Sequence, residues 1–190
     1  MLYDKNMVEL DKIKNLPLYL YRKRIGDFMI DASRINVEKL RTVLPKEPFV
    51  CLYSGGKDSA LALSIACQYA QPYALVHSAG DDGFSYNHKY KADVIQSHAD
   101  AMGIPLTVIK QNPKSNKFLH KLIVILKGYV KQGVQSMVTG TLYDLPSYEF
   151  NIKVAEIAGV KLCCPLWGLS SHDMLDGMEK HGIECVICTI

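Results

Sequence analysis

The chain has 190 residues, 48% of them hydrophobic, 22% charged and 9% aromatic, a composition that excludes a disordered or collagen-like chain and allows one domain with a sizeable core plus an extension. The net charge of +3 is too small to imply an obligate polyanionic partner, and it is unevenly placed. Ten basic and seven acidic residues fall in 1–47, whereas 48–190 hold twelve lysines, twelve carboxylates and no arginine. An acidic partner is therefore expected to meet the extension, and an extended RNA-binding face on the body is not expected.

Residues 1–47, broken by Pro17, Gly26 and Pro45, read as an N-terminal extension with one helix over 36–44. Its Arg22-Lys23-Arg24 run reads as a solvated surface, with an acidic partner or RNA as the alternative. From residue 48 onward strands and helices alternate. The apolar run 49–53 is a strand ending in a glycine-rich turn, and an Ala/Leu-rich helix follows over 58–70. Next come a strand over 73–77, a loop with Gly80 and Gly83, and a helix over 90–102 stopped by Gly103. A strand over 106–109 leads to a helix over 116–131, on which Leu119, Leu122, Ile123, Leu126 and Val130 recur at helical spacing. The remaining expectations are strands over 135–139, 160–164 and 184–189, with helices over 147–158 and 171–181 between them. Such alternation predicts an α/β fold, a doubly wound, mainly parallel sheet of five to six strands. Ligands then belong beyond the carboxyl ends of the strands.

The most specific feature is Ser54-Gly55-Gly56-Lys57-Asp58-Ser59, placed between the first body strand and its helix. Two glycines let the backbone turn tightly and bring amide N–H groups close to an anion; Ser54 and Ser59 add hydroxyl donors, and the helix N-terminus adds partial positive charge. The alternative is a plain glycine-rich turn with Asp58 as a capping residue. The spacing is neither that of a Walker loop nor GxGxxG. In its strand-to-helix setting it resembles the pyrophosphate-binding loop, SGGxDS, of the ATP pyrophosphatase (PP-loop) superfamily. That resemblance implies adenylation of a carbonyl-type oxygen by ATP, pyrophosphate release, and displacement of AMP by a nucleophile. It also implies that Lys57 and a magnesium ion neutralise the leaving diphosphate, with Asp58 helping to place the metal.

The body carries further motifs: Phe84-Ser85-Tyr86-Asn87-His88, Ala101-Met102-Gly103-Ile104-Pro105-Leu106, Val138-Thr139-Gly140-Thr141 and Cys164-Pro165-Leu166-Trp167-Gly168. In order and spacing, from residue 49 to 190, they resemble the diphthine ammonia ligase family, the ATP-dependent amidases that complete diphthamide on elongation factor 2. The resemblance implies an adenine nucleotide alpha hydrolase-like, Rossmann-like fold, with 48–190 as the nucleotide-binding domain. It implies ATP and Mg2+ as cofactors, ammonia as nucleophile, and a modified histidine of elongation factor 2 as acceptor. It makes Ser54, Gly55, Gly56, Lys57, Asp58 and Ser59 phosphate binders, with Gly140 and Thr141 near the nucleotide. His77, ending the second strand, would offer backbone groups to adenine. His88 matches a family histidine and would contact the acceptor or shuttle a proton, an exposed loop histidine being the alternative. Glu149 is kept from the family pattern, whereas Phe150 stands where the family carries arginine. Tyr143 and Asp144 are candidates for the acceptor pocket, and Trp167 for packing at the sheet rim.

The six cysteines, in a long chain whose first residues lack a signal-peptide centre, are expected to be reduced thiols in a cytoplasmic protein. Cys185 and Cys188 form a CxxC pair. The only other pair is the adjacent Cys163-Cys164, poorly placed for a closed chelate, so a structural role is expected rather than a metal. No stretch reads as a membrane span, and the extension can pack on its own body or on a second copy in a homo-oligomer. The functional expectation is an ATP-dependent ligase forming a C–N bond. The alternatives are a sulfur-transferring or nucleotide-modifying relative and a non-catalytic adenine-nucleotide binder.

Overall fold

The computed structural model describes residues 22–25, 28–31, 44–80, 82–84, 92–110 and 116–186. Strands β1 (Arg22–Ile25) and β2 (Phe28–Asp31) form an antiparallel hairpin whose backbone lies beside helix α4 (Leu145–Ala158). The hairpin was not anticipated. Its sequence signal is a two-residue Gly26-Asp27 spacer of hairpin type between short runs, which the basic charges of β1 obscured. The helix expected over 36–44 lies outside the described residues except for Leu44, which is not helical and packs on the core.

The body is a five-stranded parallel sheet of β3 (Phe49–Leu52), β4 (Pro72–Ala79), β5 (Leu106–Lys110), β6 (Ser136–Thr139) and β7 (Lys161–Cys163). Their spatial order is β5-β4-β3-β6-β7, with β3 central. Helices α1 (Lys57–Ala66), α2 (Ala92–Met102), α3 (Asn116–Val130), α4 and α5 (Ser171–Lys180) make the crossovers and the final cover. Cys51 stands opposite both Leu75 and Val138 in register. These three, with Phe49, join buried residues of α1, α2 and α5 in one core, while Val50, Ala74, Val76 and Met137 join α3 and α4 in the other. The period-two alternation therefore sends an apolar row to each face, which is why β3 reads as an unbroken apolar run.

Several boundaries differ from the sequence reading for local reasons. Helix α1 ends at Ala66 rather than 70, because Gln68 N–H and Tyr69 N–H bond to carbonyls three residues back and tighten the chain into a turn. Helix α4 begins at Leu145 rather than 147, because Pro146 falls in the first turn, where its missing N–H costs nothing. Strand β4 runs to Ala79, so His77 is inside the strand, paired with Val108 of β5, rather than at its end. Residues 183–186 pair with no strand, and 187–190 lie outside the described residues, so the sixth strand expected over 184–189 is not part of the sheet described. Among the described residues no helix is long and apolar enough to cross a membrane.

Candidate functional site

The strand order reverses between β3 and β6, and beyond the carboxyl ends of these strands opens a cleft of about 1150 Å³. A doubly wound sheet has its ligand crevice at this switch point, because the crossovers leave β3 and β6 toward opposite faces and the helices diverge. The whole Ser54–Ser59 loop lines the cleft. Val94 and His98 of α2 form one wall, Gly140, Thr141 and Leu142 with the start of α4 form the other, and Glu184, Cys185 and Val186 close the rim.

The loop is fastened from within. Gly55 has φ +82°, a left-handed turn that glycine makes without steric cost. Ser59 Oγ, almost fully buried, donates to the Gly56 carbonyl at 2.9 Å and accepts from Ser54 N–H at 3.2 Å. The two serine hydroxyls lie 3.1 Å apart, and Ser54 Oγ accepts from Gly56 N–H at 3.2 Å. Both serines thus shape the loop. The N–H groups of Gly55, Lys57 and Asp58 bond to no other described residue. Lys57 and Asp58 open the first turn of α1 and Gly55 precedes its cap, so the three donors gather at the positive end of the helix dipole, a geometry that suits an anion.

Lys57 Nζ lies 2.7 Å from Asp58 Oδ1, both side chains exposed on the cleft. Among the described residues no group of three or more His, Cys, Asp or Glu side chains could hold a metal. An accessible carboxylate beside these backbone donors fits Mg2+, which takes one or two carboxylates and completes its shell with phosphate oxygens and water. It does not fit a metal needing a preformed protein cage.

On and behind the opposite wall Asn151, the half-buried Thr141, Thr139 and Cys164 form a polar chain. Asn151 Nδ2 donates to Thr141 Oγ1 at 3.1 Å, the two threonine hydroxyls are 3.0 Å apart, and Thr139 Oγ1 is 3.3 Å from Cys164 Sγ. This chain anchors the segment after β6 to the residue that follows the end of β7. Burial pushes the Cys164 thiol up to about 12, so it serves as a packed hydrogen-bonding group rather than a thiolate. Trp167 is buried against Tyr148, ring centroids 4.4 Å apart, the packing role expected of it.

Gly140, Thr141 and Asp144 line the cleft, as does Phe150 at the position where arginine was expected by resemblance. Tyr143 packs toward Trp167. Tyr143 does not line the cleft, and two further candidates fall elsewhere. His77 is 1% exposed, and its Nδ1–H donates to the Tyr53 carbonyl at 2.9 Å, so it holds the strand that leads into the loop. Glu149 does not line the cleft. The helical turn that gives Ser147, Phe150 and Asn151 to the cleft directs Glu149 away, to an ion pair with Lys153 at 2.9 Å. His88 lies outside the described residues, as does Cys188. Cys185 is an exposed thiol on the cleft rim.

Sequence reasoning missed His98 and Asn151. His98 was detectable: Val94 and His98, four apart, share one face of α2, the face next to the strand ends. Asn151 carried no signal, because its importance depends on a hydroxyl ten residues earlier.

The family model of the diphthamide synthase N-terminal domain matches residues 48–162. No curated protein matches the chain in sequence. Among solved structures, a predicted subunit of a tRNA methyltransferase from Methanocaldococcus jannaschii is similar, with a TM-score of 0.43 and 18% identity over 68% of this chain and 72% of that one. The U34-tRNA thiolase NcsA from Methanococcus maripaludis, solved with its [4Fe-4S] cluster, is similar with a TM-score of 0.48 and 14% identity over 95% of this chain and 65% of that one. With more than half of its length matched and the SGGKDS loop at the switch point of a parallel sheet, the chain belongs to the diphthamide synthase N-terminal domain family, within the ATP pyrophosphatase superfamily.

Proposed function

We propose that the chain is an ATP-dependent ligase that activates an acceptor carboxylate as an acyl-adenylate and transfers ammonia to it, as the diphthine ammonia ligases do. The carrying observation is the set of open amides at Gly55, Lys57 and Asp58 at the head of α1, in a cleft large enough for a nucleotide and a second reactant. A carboxylate oxygen attacks the α-phosphorus, the bond from that phosphorus to the bridging oxygen breaks, and pyrophosphate leaves into the loop. Ammonia then attacks the acyl carbon, the bond to AMP breaks, and a proton is released. The amides and Lys57 receive the charge that develops on the diphosphate, and fixed dipoles do this without reorganising. Asp58 would hold Mg2+ together with phosphate oxygens, and the ion supplies further charge neutralisation.

In this reading Ser54 and Ser59 keep the loop in shape, Gly140 and Thr141 border the nucleotide, and Asp144 and Phe150 border the acceptor. Residues 48–190 form the nucleotide-binding domain and 1–47 the extension. A modified histidine of elongation factor 2 is the acceptor suggested by the family. One observation favours a second reading, sulfur transfer to a nucleotide: the exposed Cys185 thiol on the rim of the same cleft.

The test is product analysis with ATP, Mg2+ and the acceptor protein, with ammonium or sulfide as the varied reactant. Equal amounts of AMP and pyrophosphate that require ammonium support amidation. A requirement for sulfide or a persulfide donor selects the second reading. ADP with inorganic phosphate, or bound nucleotide that is never converted, overturns both.

A further inference from the structure

The described lining of the cleft is poor in cations for a site that takes a polyanion. Lys57 is its one lysine and it has no arginine, whereas Asp58, Asp144 and Glu184 are carboxylates. The remaining basic side chain is His98. Its Nδ1 lies 3.3 Å from the hydroxyl of Tyr53, with the rings edge to face. Tyr53 immediately precedes the loop and is held at three points: its N–H donates to the Val76 carbonyl at 2.9 Å, its own carbonyl accepts from His77, and its side chain is buried in the core. The imidazole is therefore fixed beside the phosphate loop by the residue that launches it. Its Nε2 bonds to no described residue and is not buried.

We propose that His98 is the second cation of the cleft: it takes up a proton when a condensed phosphate binds, Nδ1–H then donating to Tyr53 Oη and Nε2–H to a phosphate oxygen. The inference rests on the nucleotide-binding reading above and adds a residue and a proton linkage to it. A histidine suits the role because its charge is available within the physiological range and a nearby polyanion favours the charged form. A charge-assisted bond to phosphate then replaces what an arginine would otherwise supply. The other titratable groups around it are Lys57 and Asp58 from α1, Asp144 at the start of α4, and Glu184 and Cys185 on the rim. The strands on which α2 packs contribute Tyr73, His77 and Lys110, and α2 itself carries Asp93 and Asp100. None of these is a second imidazole open to the cleft.

The experiment is calorimetric titration of the full chain with pyrophosphate and with α,β-methylene-ATP, at about pH 7.5, in two buffers of different ionisation enthalpy, which yields the protons exchanged on binding. H98Q keeps a hydrogen-bonding partner for Tyr53 but cannot charge. Wild type is expected to take up more protons than H98Q, the difference approaching one. The affinity of H98Q should be lower by about tenfold near pH 6.5, with a smaller deficit near pH 8.5. Comparing the two proteins cancels protons exchanged by the ligand itself. An identical proton count in both overturns the role of His98, as does a loss of uptake in H88Q but not in H98Q. Should H98Q fail to fold, Tyr53→Phe frees the imidazole without removing it; uptake with weakened affinity supports the proposal, and wild-type affinity refutes it. Failure of wild type to bind either ligand overturns instead the phosphate-loop reading on which this rests.

Discussion

Gly140 approaches the chain at Asp58 so closely that a β-carbon on it would lie 2.8 Å from both the carbonyl carbon and the carbonyl oxygen of Asp58, and 2.9 Å from Ser59 N. The end of β6 is thus in direct backbone contact with the head of α1. The glycine that borders the cleft also sets how near the Ser54–Ser59 loop lies to the opposite wall.

Gly140→Ala should therefore force the two segments apart. Overpacking against backbone costs about 1–3 kcal/mol, read as a lowered denaturant midpoint, and the displaced amides should bind ATP more weakly. Gly177→Ala is the contrasting variant. Its nearest contact would be the tip of the buried Leu61 side chain at 3.2 Å, which a shift of that side chain rather than of backbone would relieve, while the helix gains up to about 1 kcal/mol in propensity. Unfolding should find Gly177→Ala near wild type or above it. Equal stability and ATP affinity for Gly140→Ala and wild type would refute the contact.

Asp58→Ala separates folding from function. The carboxylate is more than a third exposed and pairs with the exposed Lys57, so its loss removes one favourable charge from the start of α1, less than about 1 kcal/mol. Release of pyrophosphate should nevertheless fall by about 100-fold or more, since charge stabilisation in a preorganised site is a large catalytic factor. Unchanged turnover, measured beside an unchanged thermal midpoint, would remove Asp58 from the reaction.

His181, just after α5, lies 2.7 Å through Nδ1 from Ser64 Oγ of α1. Burial holds its folded-state value below the usual histidine range, with the Lys180 charge adding to the effect. The unfolded chain then binds the proton more readily than the folded one. Its stabilisation is present above the ordinary value of about 6.5 and is lost as pH falls through the lower folded value. Urea midpoints followed from pH 7.5 to 5 should decline in wild type and decline less in His181→Gln. Parallel curves would show that the clasp is not pH-linked.

Thiol labelling should follow burial. Cys185 is exposed on the cleft rim and should react first. Desolvation raises the Cys67 thiol, which should react more slowly. Cys51, Cys163 and Cys164 are buried and raised by the same cause, so they should label only on unfolding. Peptide mass mapping after limited alkylation gives the order, and ATP in the cleft should slow Cys185 selectively. Early labelling of Cys164 would contradict its place in the Thr139 chain.

The parallel α/β order, the placement of the SGGKDS loop at the first body turn and the apolar strands were legible because each depends on residues within one or two turns of chain. Gly103 and Gly159 mark the ends of α2 and α4 through left-handed turns that glycine favours. The start of α4 was placed two residues late, at 147 rather than Leu145, although a first helical turn accommodates Pro146. The end of β4 was placed at His77, whereas the strand continues for two further residues, an outcome decided by pairing with β5 rather than by local preference.

By itself the sequence determined the layered fold, the place of the SGGKDS loop and the family, since glycine spacing, apolar alternation and helix stops are local properties. Only the tertiary structure decided which side chains share the cleft. It brought His98 to the loop through Tyr53, joined Asn151 to Cys164 through two threonines and turned Glu149 away. It also pressed Gly140 against Asp58, across a separation in sequence that no pattern encodes. The reason is physical. Strand order and crossover direction bring together residues far apart in the chain, and close packing then sets which atoms can meet.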